Sequence, residues 1–474
     1  MRRTYALVSL LIGIPCVWQP HIQAGDLSSH LYNAWLVNQV SAGQLPGLYT
    51  VPQFTNVLFD HLLSFLMRHG SALIAEKVAV LLAVEVFFWG CFRLASVTAD
   101  RPAWSAAPFL AIAAYGAVFR MGFFNFYLAV GICTWAIALV WQNNPRFRLL
   151  AIPLLALAYS AHSIAFLWAI GVLVYLLIAR RVKPSHRYWL LIAGIACIAG
   201  VALFVEAYIR SRWATGLRID ALFGADQVLT YGLKYRFLEA ALLCLFILLL
   251  VRRFETAAGV AEDLAFQLLL LNAAAVLCLP DAIWFPQYHV RFTYIAIRLS
   301  LLSTILLSLV IARVSLHPVE KAISGFLLVL FFAFTFVDER AINLVEQKMS
   351  QAIQTLPAGV RVIATVHDAG LYVPALQHLI DRVCIGRCWD FSNYEPPTAQ
   401  FRLRARPGNP YVMTSVEDVL DLENTEYVWR NRDVQLYRLQ PCHETKEFCM
   451  TLVQSGEKLA NQQVDATPKW WKTR

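Results

Sequence analysis

About ten apolar stretches of helix-spanning length fill residues 4 to 337, and that pattern confines the chain to a membrane. A bilayer span takes roughly 20 apolar residues, and backbone groups in hydrocarbon must satisfy one another within a helix. At 58% hydrophobic and 15% charged over 474 residues, the chain has more apolar surface than a soluble protein needs. The stretches fall near 4–20, 76–97, 104–120, 124–141, 149–161, 163–179, 189–209, 237–251, 264–280, 294–312 and 322–337. The text around Ser160-Ala161-His162-Ser163 reads as one long helix or as two short ones; counted as two, the spans number about eleven.

Alternate loops carry Arg2/Arg3, Arg93/Arg101, Arg146/Arg148, Arg180/Arg181/Lys183/Arg187, Arg252/Arg253 and Arg313/Lys321. Positive charge in short loops marks the cytoplasmic side, so the N-terminus is expected inside. Much of the net charge of +9 sits in these loops. No basic run is long enough to track a nucleic-acid backbone. Met1-Arg2-Arg3 before an apolar stretch also suits a secretory signal, but Gln23-Ala24-Gly25 is a poor cleavage site, and an uncleaved first helix is expected.

Parity places residues 21–75, 210–236, 281–293 and everything after 337 on the outer face. Residues 56–66 read as an amphipathic helix in the interface plane. The expected division is a membrane domain, 1–337, with a long first outer loop, 21–75, and a small extracytoplasmic α/β domain, 338–474, loose from about 455. Within the latter, apolar residues at helical spacing from Ile342 to Leu356 end at Pro357-Ala358-Gly359, and Arg361–Val366 reads as a strand. Ser415-Val416-Glu417-Asp418 resembles a helix-opening box, and Tyr427–Trp429 and Val434–Tyr437 read as further strands. Cys384, Cys388, Cys442 and Cys449 all lie in this region and suggest two disulfides with three connectivities open. A zinc site built on Cys384 and Cys388 with His367 or His378 is the alternative.

Directly after the first span comes Gly25-Asp26-Leu27-Ser28-Ser29-His30. A carboxylate kept at a membrane edge usually has work to do. Asp26 would cap the helix that starts at Leu27, or serve as a general base, and the two roles are compatible. Asp26, His30 and Asn33 share one helical face at i, i+4 and i+7, presenting an acceptor, an imidazole and an amide.

A first membrane helix, an outward loop opening on an acidic residue, and helical text ending in Gly43-Gln44-Leu45-Pro46-Gly47-Leu48-Tyr49 together resemble the GT-C superfamily. These integral-membrane glycosyltransferases, protein mannosyltransferases and the bacterial aminoarabinose transferase among them, take sugar from a polyprenyl-phosphate carrier. The resemblance covers residues 1 to about 75 in motif and 1 to 337 in layout. It implies Asp26 as catalytic base, with His30 beside it, and basic residues of later outer loops for the lipid phosphate. It also accommodates an outer C-terminal domain that recognises a glycan, lipid or protein acceptor, and implies a multi-pass protein of a bacterial inner membrane. The chain departs from the pattern in having no adjacent acidic pair; a second carboxylate would come from Asp60 or elsewhere. No cofactor is assigned, and a divalent metal stays open because hard cations want several oxygen ligands.

The loop Pro280–Phe292 combines aromatics with His289 and Arg291, and Arg298 follows on the same helical face. Arg291, Arg298 and His289 are therefore the phosphate candidates; snorkelling by Arg291 and a salt bridge from Arg298 to Glu85 or Glu239 is the alternative. Asn33, Asp60, Arg120, Asn125, His162 and Asp281 complete the candidate cavity. Turn and packing roles compete for Arg120, Asn125 and His162. A transporter or flippase, or a membrane scaffold without catalysis, is the rival class. The concentration of polar residues in outer loops, without visible inverted repeats, argues for the enzyme.

Overall fold

The structure, a computed structural model, describes residues 2–213, 219–256, 262–285, 290–368, 370–430, 434–442 and 447–464. It is dominated by helices. Among the described residues four helices are long and apolar enough to cross a membrane: Ala72–Ala99, Phe124–Trp141, Pro184–Tyr208 and Pro318–Gln354. Shorter apolar helices run over Arg3–Cys16, Ala107–Arg120, Ser163–Ala179, Leu264–Cys278 and Ile295–Ile311. The expected span at 104–120 is interrupted: a helix Ala107–Ala114 stops at Tyr115 and a single turn, Ala117–Arg120, follows. Gly116 stands in this break, and a Cβ there would press on the Gln227 backbone. The helices Pro145–Ala161 and Ser163–Ala179 meet at His162, whose extended backbone ends one and opens the other.

By its internal contacts the chain divides into two compact units. The first comprises 1–12, 82–119 and 125–334. It contains most of the apolar helices and an antiparallel three-stranded sheet, in which Ala282–Phe285 pairs with Arg210–Arg212 on one side and Val290–Phe292 on the other. The second comprises 13–81, 120–124 and 335–474, so residues 21–75 pack with the C-terminal residues.

In the second unit Arg361–Ala364 is central to a four-stranded sheet. It runs parallel to Trp389–Asp390 and to Leu436–Pro441, and the latter pairs antiparallel with Phe448–Leu452. Ile363, Leu436, Trp429, Val453 and Leu459 are among the side chains of its core. Ser415 caps the helix Val416–Glu423 by accepting from the Asp418 nitrogen, while Val428 makes only an isolated bridge to Lys458 where a strand was expected. Leu48–Thr50 pairs antiparallel with Leu403–Ala405, stitching the first loop to the C-terminal segment. The amphipathic stretch folds as the helix Leu58–His69, burying Phe59 and Leu63.

One helix, Pro318–Gln354, runs unbroken through 337/338, where the sequence reading ends a span and begins a domain. Hydropathy changes at Asp338, but no Gly or Pro lies between Thr335 and Gln354 to stop the helix. The two bonded cysteine pairs are Cys384–Cys388 and Cys442–Cys449. With both sulfurs of the first pair so engaged, the zinc alternative loses its thiolates. Cys384 also ends the short helix Leu379–Cys384, which carries Asp381 and Arg382.

Candidate functional site

The helix Leu27–Ser41 starts beside the turn Arg120–Gly122. Gly25 N donates to Arg120 O at 2.7 Å and Asp26 N to Met121 O at 3.0 Å. The approach depends on two glycines. A Cβ on Gly25 would meet Met121 O and Pro374 O, and one on Gly122, which has φ +82°, would overlap the Asp26 nitrogen. Asp26 stands at the N-cap position, yet its side chain accepts no capping hydrogen bond. The capping role that competed for it is therefore not the one its carboxylate takes. The carboxylate is 29% exposed and lies 3.7 Å from His378 Nε2.

Behind this segment two buried ion-pair groups fix residues 18 to 26. Arg120, fully buried, pairs with Glu339, which also accepts from Trp18, while a second Arg120 bond reaches Gln23 O at 3.1 Å. Arg382 pairs with Glu346 at 2.6 Å and Glu76 at 3.5 Å and donates to Ile22 O and Gln23 Oε1. Arg120 thus acts on the site from behind, holding the chain that carries Asp26.

One turn along the helix, His30 Nδ1 lies 2.7 Å from Asp60 Oδ1, with the ring edge-on to Phe59. Burial alone would lower the imidazole, but Asp60, with help from Glu395 and Asp26, overrides it and raises the group to about 9. His30 is therefore an imidazolium at neutral pH, a fixed positive charge beside the acidic groups. Asn33 exchanges amide bonds with Asn393, at 2.8 Å one way and 3.3 Å the other, and so ties the helix to the C-terminal segment. Burial and the Asp60 charge hold the Glu395 carboxyl well above the usual range. Asn33, Asp60, Glu395 and Arg402 help line a cavity of only about 10 Å³, room for about one water.

The deeper layer comes from residues that sequence reasoning missed or named for another purpose. His378, raised above only as a zinc ligand, has Nδ1 3.5 Å from Asp381 and its ring 5.1 Å from that of Tyr394. Asp390 accepts from Ser392 N at 2.9 Å and from Ser392 Oγ at 2.5 Å, and its own N–H donates to the Tyr32 hydroxyl at 2.9 Å. A His-x-x-Asp spacing at 378 and 381 was the only local signal; the approach to Asp26 is made by residues about 350 positions away. Among the described residues no group of His, Cys, Asp and Glu is disposed to hold a metal ion.

The other candidates belong to the first unit. Asp281 accepts from Arg212 at 3.3 Å and from Ala296 N, holding the start of the helix Ile295–Ile311. Arg291 and Arg210 flank Trp284 from the neighbouring strands, at 5.3 and 5.7 Å from the ring centre. Arg298 donates to Thr293 O at 2.9 Å and lies over Phe126 at 5.5 Å. Its expected acidic partners are used elsewhere: Glu85 accepts from Ser9 and Trp89, and Glu239 pairs with Arg236. His162 accepts from Ile164 N and meets Phe126 edge-on, a capping and packing role. Asn125 is buried near the start of the helix Phe124–Trp141. His289 lies outside the described residues.

The chain matches no protein-family model, no curated protein and no solved structure.

Proposed function

We propose that the chain is an integral-membrane glycosyltransferase, which moves a sugar from a polyprenyl-phosphate carrier to an acceptor hydroxyl with Asp26 as general base. The observation that carries this reading is the Asp26 carboxylate. It sits at a helix start without capping that helix, part-exposed, on a backbone clamped by Gly25 and Gly122. A group fixed so firmly, with its oxygens turned away from the helix's own N–H donors, is disposed to take a proton from an acceptor.

The reading extends to GT-C-like membership, about eleven spans, an N-terminus in the cytoplasm and an extracytoplasmic C-terminal region in a bacterial inner membrane. The apolar helices and the six basic loops support it. For the lipid phosphate it retains Arg291 and Arg298, together with His289. Arg291, which with Arg210 flanks Trp284, offers the planar donors and apolar surface that a phosphate on an isoprenoid tail would use.

The test is reconstitution of the full chain in lipid with a panel of polyprenyl-phosphate sugars, following sugar release and transfer. Asp26→Asn preserves size, and losing a general base lowers the rate by roughly 10²–10⁴-fold. Carrier lipid crossing the bilayer with no sugar released, in wild type and variant alike, would replace this reading with a flippase.

A further inference from the structure

The mechanism proposed above uses Asp26 but gives no account of the acids buried behind it. Asp381 is fully buried, and neither of its carboxylate oxygens meets a hydrogen-bond donor. The neighbouring guanidinium of Arg382 is turned to Glu346, Glu76 and the backbone at Ile22. Asp390, also buried, takes its side-chain hydrogen bonds from Ser392. The Asp381 and Asp390 side chains interact with each other away from water, and two such carboxylates cannot both stay ionised, since an uncompensated buried charge is very costly. One proton between them supplies the missing donor and removes one charge.

We infer that Asp381 and Asp390 share a proton and that His378 couples this pair to Asp26, giving the proton taken by Asp26 a route inward. The inference rests on the reading of Asp26 as the base. His378 presents Nδ1 to Asp381 at 3.5 Å and Nε2 to Asp26 at 3.7 Å. Both contacts are a few tenths of an ångström longer than hydrogen bonds; catalytic contacts commonly tighten only when substrate is bound. Burial lowers the imidazole, against the pull of Asp26, Asp390 and Glu423 and with His30 adding to the lowering. Asp368 also feels the ring's charge, and Tyr394 packs against it. A neutral imidazole has one N–H and one lone pair, and so passes a proton through without accumulating charge. Burial raises Asp381 to about 7 and Asp390 well above its usual range. The two titrate as a pair, so the shared proton is assigned to neither.

The step balances. As the acceptor oxygen bonds to the sugar's anomeric carbon, the carbon–oxygen bond to the carrier breaks and its electron pair leaves with the phosphate. Asp26 takes the hydroxyl proton. That proton then passes to Nε2 as the Nδ1 proton passes to the pair, which goes from one proton to two and leaves Asp26 ionised. His378, Asp381 and Asp390 are positioning residues in this scheme, since none touches the reacting atoms.

Infrared spectroscopy of the full chain in lipid nanodiscs tests the inference without any substrate. The wild type at neutral pH should show a carbonyl-stretch component of a buried protonated carboxylic acid, distinct from that of the raised Glu395 carboxyl, which the Asp381→Asn/Asp390→Asn double variant lacks. If that variant does not fold, each single Asn variant should shift or weaken the band. On transfer to D₂O, the band should exchange at least about tenfold more slowly in His378→Gln, because a proton route is removed; simple destabilisation would speed exchange. Absence of the band in wild type, its survival in the Asn variants, or unchanged or faster exchange in His378→Gln overturns the inference. A wild-type chain that shows the band and slowed exchange but releases no sugar would defeat the glycosyltransferase reading and leave the coupled pair standing.

Discussion

His30 and Asp60 form a hydrogen-bonded ion pair, Nδ1 to Oδ1 at 2.7 Å, in which both side chains are largely withdrawn from solvent. Burial by itself would favour the neutral imidazole, so the raised value of about 9 measures how far Asp60 and its acidic neighbours prevail. The sign of the pH effect follows. A histidine raised in the folded state adds stability that is complete below the unfolded value and is lost as pH rises through the folded one. The contribution should fade between about 6.5 and about 9, and the shift amounts to about 3 kcal/mol. The Asp381 and Asp390 pair, raised by burial, pushes in the same direction as pH rises. Melting temperature should therefore fall across this range in wild type. In Asp60→Asn, starting from a lower value, the segment between about 6.5 and about 9 should flatten. An equally steep decline in the variant would separate the trend from His30.

Arg120 and Glu339 make a second, fully enclosed pair, and the sequence offered Arg120 as a cavity residue. Its position behind Gln23 assigns it to holding the chain. Arg120→Met leaves the buried Glu339 without its guanidinium partner and should cost about 3–5 kcal/mol. Adding Glu339→Gln removes the stranded charge and should restore much of that loss. A double-mutant cycle read by thermal unfolding measures the coupling. A stable Arg120→Met chain that had lost only substrate binding would return Arg120 to the cavity.

Gly122 places the turn against Asp26, with φ +82° and no space for a Cβ. Gly122→Ala should cost about 1–3 kcal/mol through strain and push the Asp26 backbone out of position. Sugar release should fall more than the melting temperature alone would suggest. Gly43, with φ +73° and nothing near its missing Cβ, is the control: the strain is similar but Asp26 is undisturbed. Equal losses of activity in the two alanine variants would show that the clamp at Asp26 has no special part in turnover.

The sequence made the apolar helices, the amphipathic helix after Leu58, the capped helix after Ser415 and the central strand from Arg361 readable, because each follows from periodicity or capping within a few residues. Asp26 stood out for the same local reason, a charge at the end of an apolar run. The group behind Asp26 did not, because His378 reaches it, and brings Asp381 with it, through folding of a distant segment. Hydropathy divides the continuous helix Pro318–Gln354 at Asp338, although helix propensity does not change there. Arg120 was legible as an unusual charge but not as a clamp, since its partner Glu339 lies 219 residues away.

The orientation of the chain decides whether Asp26 faces the compartment that a polyprenyl-phosphate transferase requires. Six basic loops alternate with outer ones, and the C-terminal region holds two bonded cysteine pairs, Cys384–Cys388 and Cys442–Cys449. Charge of this kind is commonly retained in the cytoplasm and bonded cysteines commonly form outside it, so the proposed orientation makes two independent expectations. A reporter active only outside the cytoplasm should work when fused after Leu436 and fail when fused at Lys183. In membranes prepared without reductant, thiol reagents should leave all four of these cysteines unmodified. Reduction should lower stability by about 2 kcal/mol for each short loop opened. The reverse reporter pattern, with the four thiols labelled, would place the C-terminal region in the cytoplasm. Asp26, packed in the same unit as that region, would then be in the wrong compartment for the proposed reaction.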